Sequence, residues 1–397
     1  MAQQVLVYRL TGSATALGMV NFVSLLPLIP FSLMGGSLSD RYSKRLILLI
    51  TQVIMMVIAI TLGILTATGV VKVWHIYLLA VFSGATQAVD MPTRQAFIVE
   101  LIEGKEDITN AVALNSAIFN GARAIGPALA GFLVAAVGEA SAFFINSITF
   151  LSIIVSLAAM KGLPRQTYRR DKSISYGKHI LEGLTYIRKN HALSVILSLI
   201  AVSAFLSMPY NTLMPVFANK VLFTSSQTII QSICSNQTII IHCRAPEALP
   251  LGFLLAAVGV GAVIGALIVA SLPANAKHGR LLTVGNLGFP IVLLLFSLSK
   301  NFSFSIILML LTGFSFTWQN SLANTLFQLN SPDELRGRIM SFYTLSMQGM
   351  MRLGGLQAGA FTDLFTAPIA LGAGATIALA YGLFVLIKFS FVRRMDH

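Results

Sequence analysis

The chain has 397 residues, of which 56% are hydrophobic and only 10% are charged, and its formal net charge is +13. A soluble protein carries about 25% charged residues to wet its surface, so this composition excludes an ordinary soluble domain. The apolar residues fall into stretches of roughly 20, each long enough to cross a bilayer as a helix. Because a helix satisfies its own backbone hydrogen bonds inside lipid, we predict an all-α polytopic membrane protein.

In chain order, the apolar stretches predict about 11 complete transmembrane helices. The expected spans are 15–36, 46–68, 74–100, 110–137, 140–160, 192–220, 250–272, 281–299, 302–329, 338–363 and 366–392. Hydrophilic residues 161–191 divide them into an N-terminal transmembrane half, 1–160, and a C-terminal transmembrane half, 192–397.

Two segments outside the spans carry their own patterns. In the 161–191 linker, apolar residues alternate with Lys178, Glu182 and Lys189 at helical spacing, which predicts a helix. This amphipathic helix lies either along the membrane surface or in solvent as a linker. An extracytoplasmic insert is expected at about 223–249, where Cys234 and Cys243 are either a disulfide pair or two unrelated cysteines.

An internal repeat relates the two halves. Two halves of about six spans each are a common transporter plan, with a substrate site near the midplane between them. The repeat leaves only residues 1–10 for the counterpart of the span at 192–220, so most of helix 1 is expected to be missing. The aligned residues are Arg123 with Arg352, Gly126 with Gly355, and Leu17-Gly18 with Leu251-Gly252.

The basic residues indicate the orientation and argue against other protein classes. The 37–45 loop, the 161–191 linker and the end of the chain carry most of the lysine and arginine, which places them in the cytoplasm. We expect a multi-pass protein of the plasma (inner) membrane with a cytoplasmic C-terminus. No basic run is interleaved with aromatic residues, and the six histidines lack metal-ligand spacing. No nucleic-acid partner, metal, cofactor or enzymatic activity is therefore predicted.

A distinctive pattern lies in the 36–45 loop. Its glycine permits a tight approach, and its carboxylate can face the positive N-terminal end of a helix. The pattern resembles the signature between helices 2 and 3 of the major facilitator superfamily, departing at Ser43, where glycine is usual. The resemblance implies a gating motif in which Asp40 faces the helix that begins beside Arg336 and Arg338. The motif residues are Gly36, Leu38, Asp40, Arg41, Lys44 and Arg45.

A second glycine pattern lies in the span at 110–137. Gly126, Pro127 and Gly131 resemble the antiporter signature found mainly in exporters of the same superfamily, with alanine at two of its glycine positions. Close helix packing and a proline bend would by themselves also account for these residues.

The segment from Asp90 to Ala96, together with residues 110–116 and 120–123, resembles the enterobactin-exporter branch, or transmembrane secretion effectors. The resemblance covers nearly all of the chain except the insert. It implies a major facilitator fold of two pseudo-symmetric six-helix halves. It also implies a secondary active transporter, monomeric and proton-coupled, that exports small amphipathic compounds such as siderophores or drugs. The alternatives are an importer or facilitator on the same fold, or a truncated membrane protein that does not transport.

Charged and amide residues inside the spans are candidate site residues, because such groups are costly in lipid. Asp90 and Arg94 are four residues apart, so they form either a proton-coupling site or a structural ion pair. Arg123 and Arg352 either bind an anionic substrate or tie the two halves together. Amides occupy the span at 302–329 where charges would repeat, so that half is not expected to carry the proton. These amides, which complete the candidate substrate or inter-half set, are Gln319, Asn320 and Asn324.

Overall fold

A computed structural model describes residues 1–27, 31, 42–101, 105–160, 176–234, 243, 245–273, 276–332 and 335–389. Over these residues the chain is a sequence of α-helices. They are α1 (Ala2–Thr11), α2 (Ala14–Leu25), α3 (Lys44–Ala67), α4 (Val73–Glu100), α5 (Lys105–Ala159), α6 (Tyr176–Lys189), α7 (His191–Leu206), α8 (Tyr210–Val216), α9 (Phe223–Cys234), α10 (Ala248–Ala270), α11 (His278–Leu298), α12 (Phe302–Leu329), α13 (Arg336–Leu364) and α14 (Ala367–Lys388). A π-helical turn, Phe217–Val221, extends α8.

Seven helical segments among the described residues are long and apolar enough to cross a membrane. The prediction of an all-helical, multi-pass membrane protein is therefore confirmed. The count of about 11 spans and the shortened first helix stay predictions. The membrane-length segments are Lys44–Ala67, Ile125–Ala159, His191–Val221, Ala248–Ala270, His278–Leu298, Phe302–Leu329 and Ala367–Lys388.

The longest helix, α5, is broken at one glycine. Gly138 has φ 81° and ψ 170°, a backbone conformation that favours glycine because other residues would clash there. The break divides α5 into 105–137 and 139–159, close to the separate spans predicted at 110–137 and 140–160.

Short polar residues mark where several helices begin. The side chain of Asn190 accepts hydrogen bonds from the backbone N–H groups of Ala192 and Leu193 at the start of α7. Asn301 caps α12 in the same way through the backbone N–H of Phe304. Such caps satisfy N–H groups that have no partner inside the helix. The chain therefore turns at fixed points between its apolar segments.

The core of the C-terminal half contains aromatic side chains from the π-helical turn, from α11 and from α12. Phe217 and Phe296 are fully buried, with ring centroids 4.7 Å apart. Phe289 is also fully buried and lies 5.6 Å from the ring of Phe316. Burying large apolar side chains between helices gives these helices fixed neighbours.

The linker and the insert both contain helices. The linker contains α6, and the side chains of 176–181 lie outside the described residues, so its amphipathic placement stays a prediction. The insert contains α9, and Cys234 is joined to Cys243 by a disulfide with a Cα–Cα distance of 5.6 Å. Of the two alternatives for these cysteines, the disulfide is the one observed. Insert and core also meet, because Ser225 Oγ accepts a hydrogen bond from the backbone N–H of Phe302.

Candidate functional site

Two close helix seams join the halves: α2 packs against α13, and α5 packs against α10. Both seams are made by glycines. A Cβ added to Gly18 would lie 2.5 Å from the carbonyl oxygen of Gly355, and one added to Gly131 would lie 2.6 Å from the Cα of Gly252. Small residues let two backbones approach this closely. The four glycines therefore set the distance between the halves.

The antiporter-like motif lies partly in one of these seams. Gly131 faces Gly252, and the carbonyl oxygen of Pro127 lies 3.2 Å from a Cβ added to Gly252. A Cβ added to Gly126 meets no described atom within 4 Å. Gly131 and Pro127 thus have a packing role in the seam, whereas packing among the described residues does not explain Gly126.

Polar side chains cross the α2–α13 seam and its surroundings. Arg352 Nη1 donates to Ser24 Oγ at 2.9 Å. Asn21 Nδ2 donates to Thr212 Oγ1, on α8, at 3.2 Å. Arg352 thus contacts the opposite half, the geometry expected if it ties the halves together. The side chain of Arg123, its mate in the repeat, lies outside the described residues.

One acid at the end of this seam was not singled out from the sequence. Asp363, in the last turn of α13, accepts hydrogen bonds from Ser13 Oγ at 2.5 Å, from Ala14 N–H at 2.8 Å and from Thr15 N–H at 2.9 Å. It therefore caps the N-terminus of α2 from the opposite half. Sequence offered only a weak signal, an acid in the last turn of a predicted span.

Asp90 and Arg94 form the ion pair that their spacing predicts. Arg94 Nη2 and Nε lie 3.0 and 3.2 Å from Asp90 Oδ2. The other oxygen, Oδ1, accepts from Thr51 Oγ1 at 2.7 Å and from Gln52 Nε2 at 2.8 Å. Both of these partners are buried on α3. They are site residues that sequence reasoning missed, although two adjacent polar residues in an apolar span were a usable signal.

A second buried acid pairs with α1. Glu139 is 4% exposed, and its Oε1 lies 3.2 Å from Nε of Arg9, which is half-exposed. Glu139 follows directly after the break at Gly138, so the sequence did signal an acid at the start of an apolar helix. Among the described residues Arg9 is the one partner of Glu139, whereas both oxygens of Asp90 have partners, so the charge of Glu139 is less well compensated.

The gating motif is only partly visible. Gly36, Leu38, Asp40 and Arg41 lie outside the described residues, as do the side chains of Arg336 and Arg338. Lys44 begins α3. Arg45 donates through Nε to the carbonyl of Leu157 and through Nη2 to that of Ala158, both at 2.7 Å. A cation at the last carbonyls of α5 is favoured by the helix dipole, so Arg45 fastens two helix ends together.

The amide residues of α12 bond within the C-terminal half. Gln319 is buried; its Nε2 donates to Asn286 Oδ1 at 2.7 Å and its Oε1 accepts from Ser203 Oγ at 3.1 Å. Asn320 Oδ1 accepts from Tyr343 OH at 2.9 Å, and Asn324 Oδ1 accepts from Gln328 Nε2 at 2.6 Å. These bonds connect α7, α11, α12 and α13, and a role in substrate binding stays a prediction.

No group of three or more His, Cys, Asp or Glu side chains that could hold a metal ion occurs among the described residues. The polar groups instead either bond inside one half or cross between the halves. Hydrogen bonds that cross between the halves are expected where two helical bodies separate and rejoin. Such bonds and close contacts can form and break without covalent change.

Comparison with known proteins gives consistent results. A family model described as "Transmembrane secretion effector" matches residues 1–397. The staphyloferrin A transporter of Staphylococcus aureus (strain NCTC 8325 / PS 47) is 27% identical over 363 residues, covering 89% of this chain and 82% of that protein. The enterobactin exporter of Escherichia coli (strain K12) is 24% identical over 387 residues, covering 96% and 84%.

Solved structures share the fold at lower identity. The nucleoside transporter NupG superposes with a TM-score of 0.69 at 10% identity, covering 98% of this chain and 93% of that chain. The inward open xylose transporter XylE from E. coli gives a TM-score of 0.64 at 13% identity, covering 94% and 85%. At such identities the likeness shows the fold alone.

Proposed function

Because the chain belongs to the transmembrane secretion effector family of major facilitator transporters, we propose that it is a proton-coupled exporter of small amphipathic compounds of the siderophore or drug-like kind. Its alternatives are import or facilitated passage on the same fold. The relatives named above carry enterobactin and staphyloferrin A in their names, which makes these compounds the first substrates to test.

The observation that carries the proposal is the pair of glycine seams between the halves. The seams are close where residues 14–24 meet 352–363 and where 127–135 meet 245–252. Farther along the same helices, a Cβ added to Gly121 or Gly349 meets no described atom within 4 Å. Close contact at one end, with no contact among the described residues at the other, fits alternating access between two rigid halves.

Orientation follows from the same proposal. If the 37–45 loop is cytoplasmic, the tight end of both seams is extracytoplasmic, and the arrangement is inward-facing. The C-terminus is then cytoplasmic, and the protein is a monomer of the plasma (inner) membrane with the bilayer, a small molecule and protons as its partners. Export is favoured by the antiporter-like residues Pro127 and Gly131, which lie in a seam that must open and close.

We assign roles to the candidate residues on this basis. Asp40 gates the cytoplasmic side, and Asp90 with Arg94 carries the coupling proton in the N-terminal half. The remaining candidates contact the substrate or the opposite half in this proposal; they are Arg123, Arg352, Gln319, Asn320 and Asn324.

The test is transport into everted membrane vesicles that contain the protein. Energising such vesicles acidifies their interior, so a proton-coupled exporter accumulates substrate inside them. We expect enterobactin or staphyloferrin A to accumulate on energisation and to be released by a protonophore. Vesicles that lack the protein are the control for passive entry.

The alternatives give different outcomes in the same assay. Accumulation in right-side-out vesicles, with none in everted ones, would establish import. Equal filling of both kinds without energy would establish a facilitator. No movement of either siderophore or of a panel of amphipathic drugs, by protein that is correctly inserted, would contradict the transport proposal.

A further inference from the structure

Asp363 differs from the other acids described above because its bonds cross between the halves. Three donors at the beginning of α2 converge on its carboxylate: the Ser13 hydroxyl and the backbone N–H groups of Ala14 and Thr15. Asp90 bonds within the N-terminal half, and Glu139 pairs with Arg9 in the same half. Of these three acids, Asp363 is therefore the one whose charge acts directly on the contact between the halves.

The surrounding packing holds this contact in place. Gly359, one turn before Asp363, packs directly on the backbone of Ala14, and Gly355 packs on Gly18 one turn farther along α2. The carboxylate therefore sits at the end of a close backbone seam. The first N–H groups of α2 point out of the helix toward it, where a negative charge is favoured by the helix dipole.

Other titratable groups lie around the contact. Lys220, on the π-helical turn, lies with Nζ 5.9 Å from the ring centroid of Tyr8 on α1. Both Lys220 and Asp363 act electrostatically on the Tyr8 hydroxyl. The next residue of α1 is Arg9, which pairs with Glu139. Glu139 is the other carboxylate whose protonation has to be separated from that of Asp363.

We propose that Asp363 is the acid through which extracytoplasmic protons act on the transport cycle: ionised, it holds α2 against α13, and protonated, it lets the two helices part. The inference rests on the proposed exchange between inward-facing and outward-facing states. It adds a positioning residue for that exchange, distinct from Asp90.

The physical reason is the difference in what the two protonation states can accept. The ionised carboxylate accepts three hydrogen bonds from donors at a positive helix end, and bonds of this kind are stronger when one partner is charged. A proton removes the charge and occupies one oxygen. The contact therefore stabilises the inward-facing state fully at pH values above the pKa of the released carboxyl. This stabilisation is lost as the pH falls below that pKa.

The direction of this effect suits an exporter. The contact lies at the proposed extracytoplasmic end, so protons arrive there from the acidic side of an energised membrane. Protonation then favours opening toward that side, which releases a substrate that entered from the cytoplasm. The proton-driven step and the opening step are coupled because they share one carboxylate.

The test measures the separation of the halves, without substrate. Spin labels at Val70→Cys and Lys300→Cys, two exposed positions on proposed extracytoplasmic loops of opposite halves, report distance by pulsed electron resonance. The native cysteines are bonded to each other, so they do not take the label. We expect the fraction with the longer distance to rise about tenfold in the wild type as the pH is lowered from about 7.5 to about 3, because a released aspartate ionises at about pH 4.

Variants identify the responsible group. Asp363→Asn should show the longer distance at both pH values, because the charge is absent throughout. Ser13→Ala is the matched control: it removes one donor but leaves the charge and both backbone bonds, so the pH response should persist. Glu139→Gln should also keep the response. If Asp363→Asn does not fold, Asp363→Glu, which retains an ionisable group, should respond to pH with a shifted midpoint.

Two results would overturn the proposal. One is a wild-type pH response in Asp363→Asn, and the other is loss of the response in Glu139→Gln alone. A protein that opens with acid as expected, but moves no siderophore or drug in everted vesicles, would count against the proposed transport function and leave the role of Asp363 standing.

Discussion

Asp90 shows how an acid is kept inside an apolar helix bundle. Each carboxylate oxygen has partners, with Thr51 and Gln52 on Oδ1 and Arg94 on Oδ2. Charge-assisted bonds of this kind compensate for the loss of hydration. The same partners that make the pair stable must be released if the acid is to carry a proton. A structural ion pair and a proton-coupling site therefore respond differently when Asp90 is replaced by a neutral residue.

Replacing Asp90 by Asn should abolish proton-driven efflux while the protein still folds. The amide keeps an oxygen for Thr51 and Gln52, and Arg94 is 45% exposed, so its charge can be hydrated. We expect a loss of about 1 kcal/mol in the free energy of unfolding. Protein yield, thermal unfolding and efflux are measured in Asp90→Asn and in Asp90→Asn/Arg94→Gln. Coupled efflux that survives in either variant would exclude Asp90 as the proton site.

The pair of Arg9 and Glu139 predicts a stability effect. Arg9→Gln leaves Glu139 buried without an opposite charge, which should lower the free energy of unfolding by about 1–3 kcal/mol. Arg9→Gln/Glu139→Gln should recover part of this loss, because two amides can hydrogen bond. Thermal unfolding of the two single variants and the double variant measures the coupling. Additive losses would show that the two side chains do not support each other.

Helix packing between the halves depends on glycines rather than on large apolar residues. Gly18 meets Gly355, and Gly131 meets Gly252, in contacts too close for a Cβ to fit without movement. Seams of this kind carry few interlocking side chains. They are therefore suited to surfaces that have to separate, whereas the aromatic core around Phe289 and Phe296 keeps the C-terminal half together.

Gly131→Ala should separate α5 from α10, and Gly126→Ala on the same helix is its matched control. Both changes raise helix propensity by the same amount, about 1 kcal/mol. The difference in stability between the two variants therefore measures the effect of the close contact between α5 and α10. The new Cβ of Gly131→Ala would lie 2.6 Å from Gly252 Cα, whereas that of Gly126→Ala meets no described atom within 4 Å. We expect Gly131→Ala to be less stable than Gly126→Ala by about 1–3 kcal/mol, with reduced efflux. Equal unfolding temperatures would contradict this role of the seam.

At the scale of the whole molecule, the insert reaches from one half to the other. Its helix α9 meets the start of α12 through Ser225, and after the disulfide the backbone N–H of Ala245 donates to the carbonyl of Ala135 in the opposite half at 3.1 Å. The disulfide closes the segment between these two contacts. The insert therefore contributes to the proposed extracytoplasmic closure.

Removing the disulfide should weaken that closure. Cys234 and Cys243 are nine residues apart, a loop for which the chain-entropy estimate is about 2–3 kcal/mol. Cys234→Ser/Cys243→Ser should unfold at a lower temperature than the wild type, and reductant should lower the wild type to the same value. The double variant should not respond to reductant. A reductant effect of equal size in both proteins would show that the disulfide is not its cause.

The sequence by itself determined the class of the protein and much of its local structure. Apolar stretches long enough for a bilayer predicted helices close to those observed, since backbone hydrogen bonding in lipid leaves few alternatives. The spacing of Asp90 and Arg94 predicted their pair, because residues four apart share one helical face. Motif resemblance also identified the family, which the match over residues 1–397 bears out.

The tertiary structure alone decided which residues meet across the molecule. Thr51 and Gln52 reach Asp90 from another helix, Arg9 reaches Glu139, and Asp363 caps a helix about 350 positions earlier in the chain. No periodicity within one helix encodes such contacts, because they depend on the rotation and offset of two packed helices. The same reason separates Gly131 from Gly126: one motif contains both, but among the described residues only Gly131 of these two glycines packs against the opposite half.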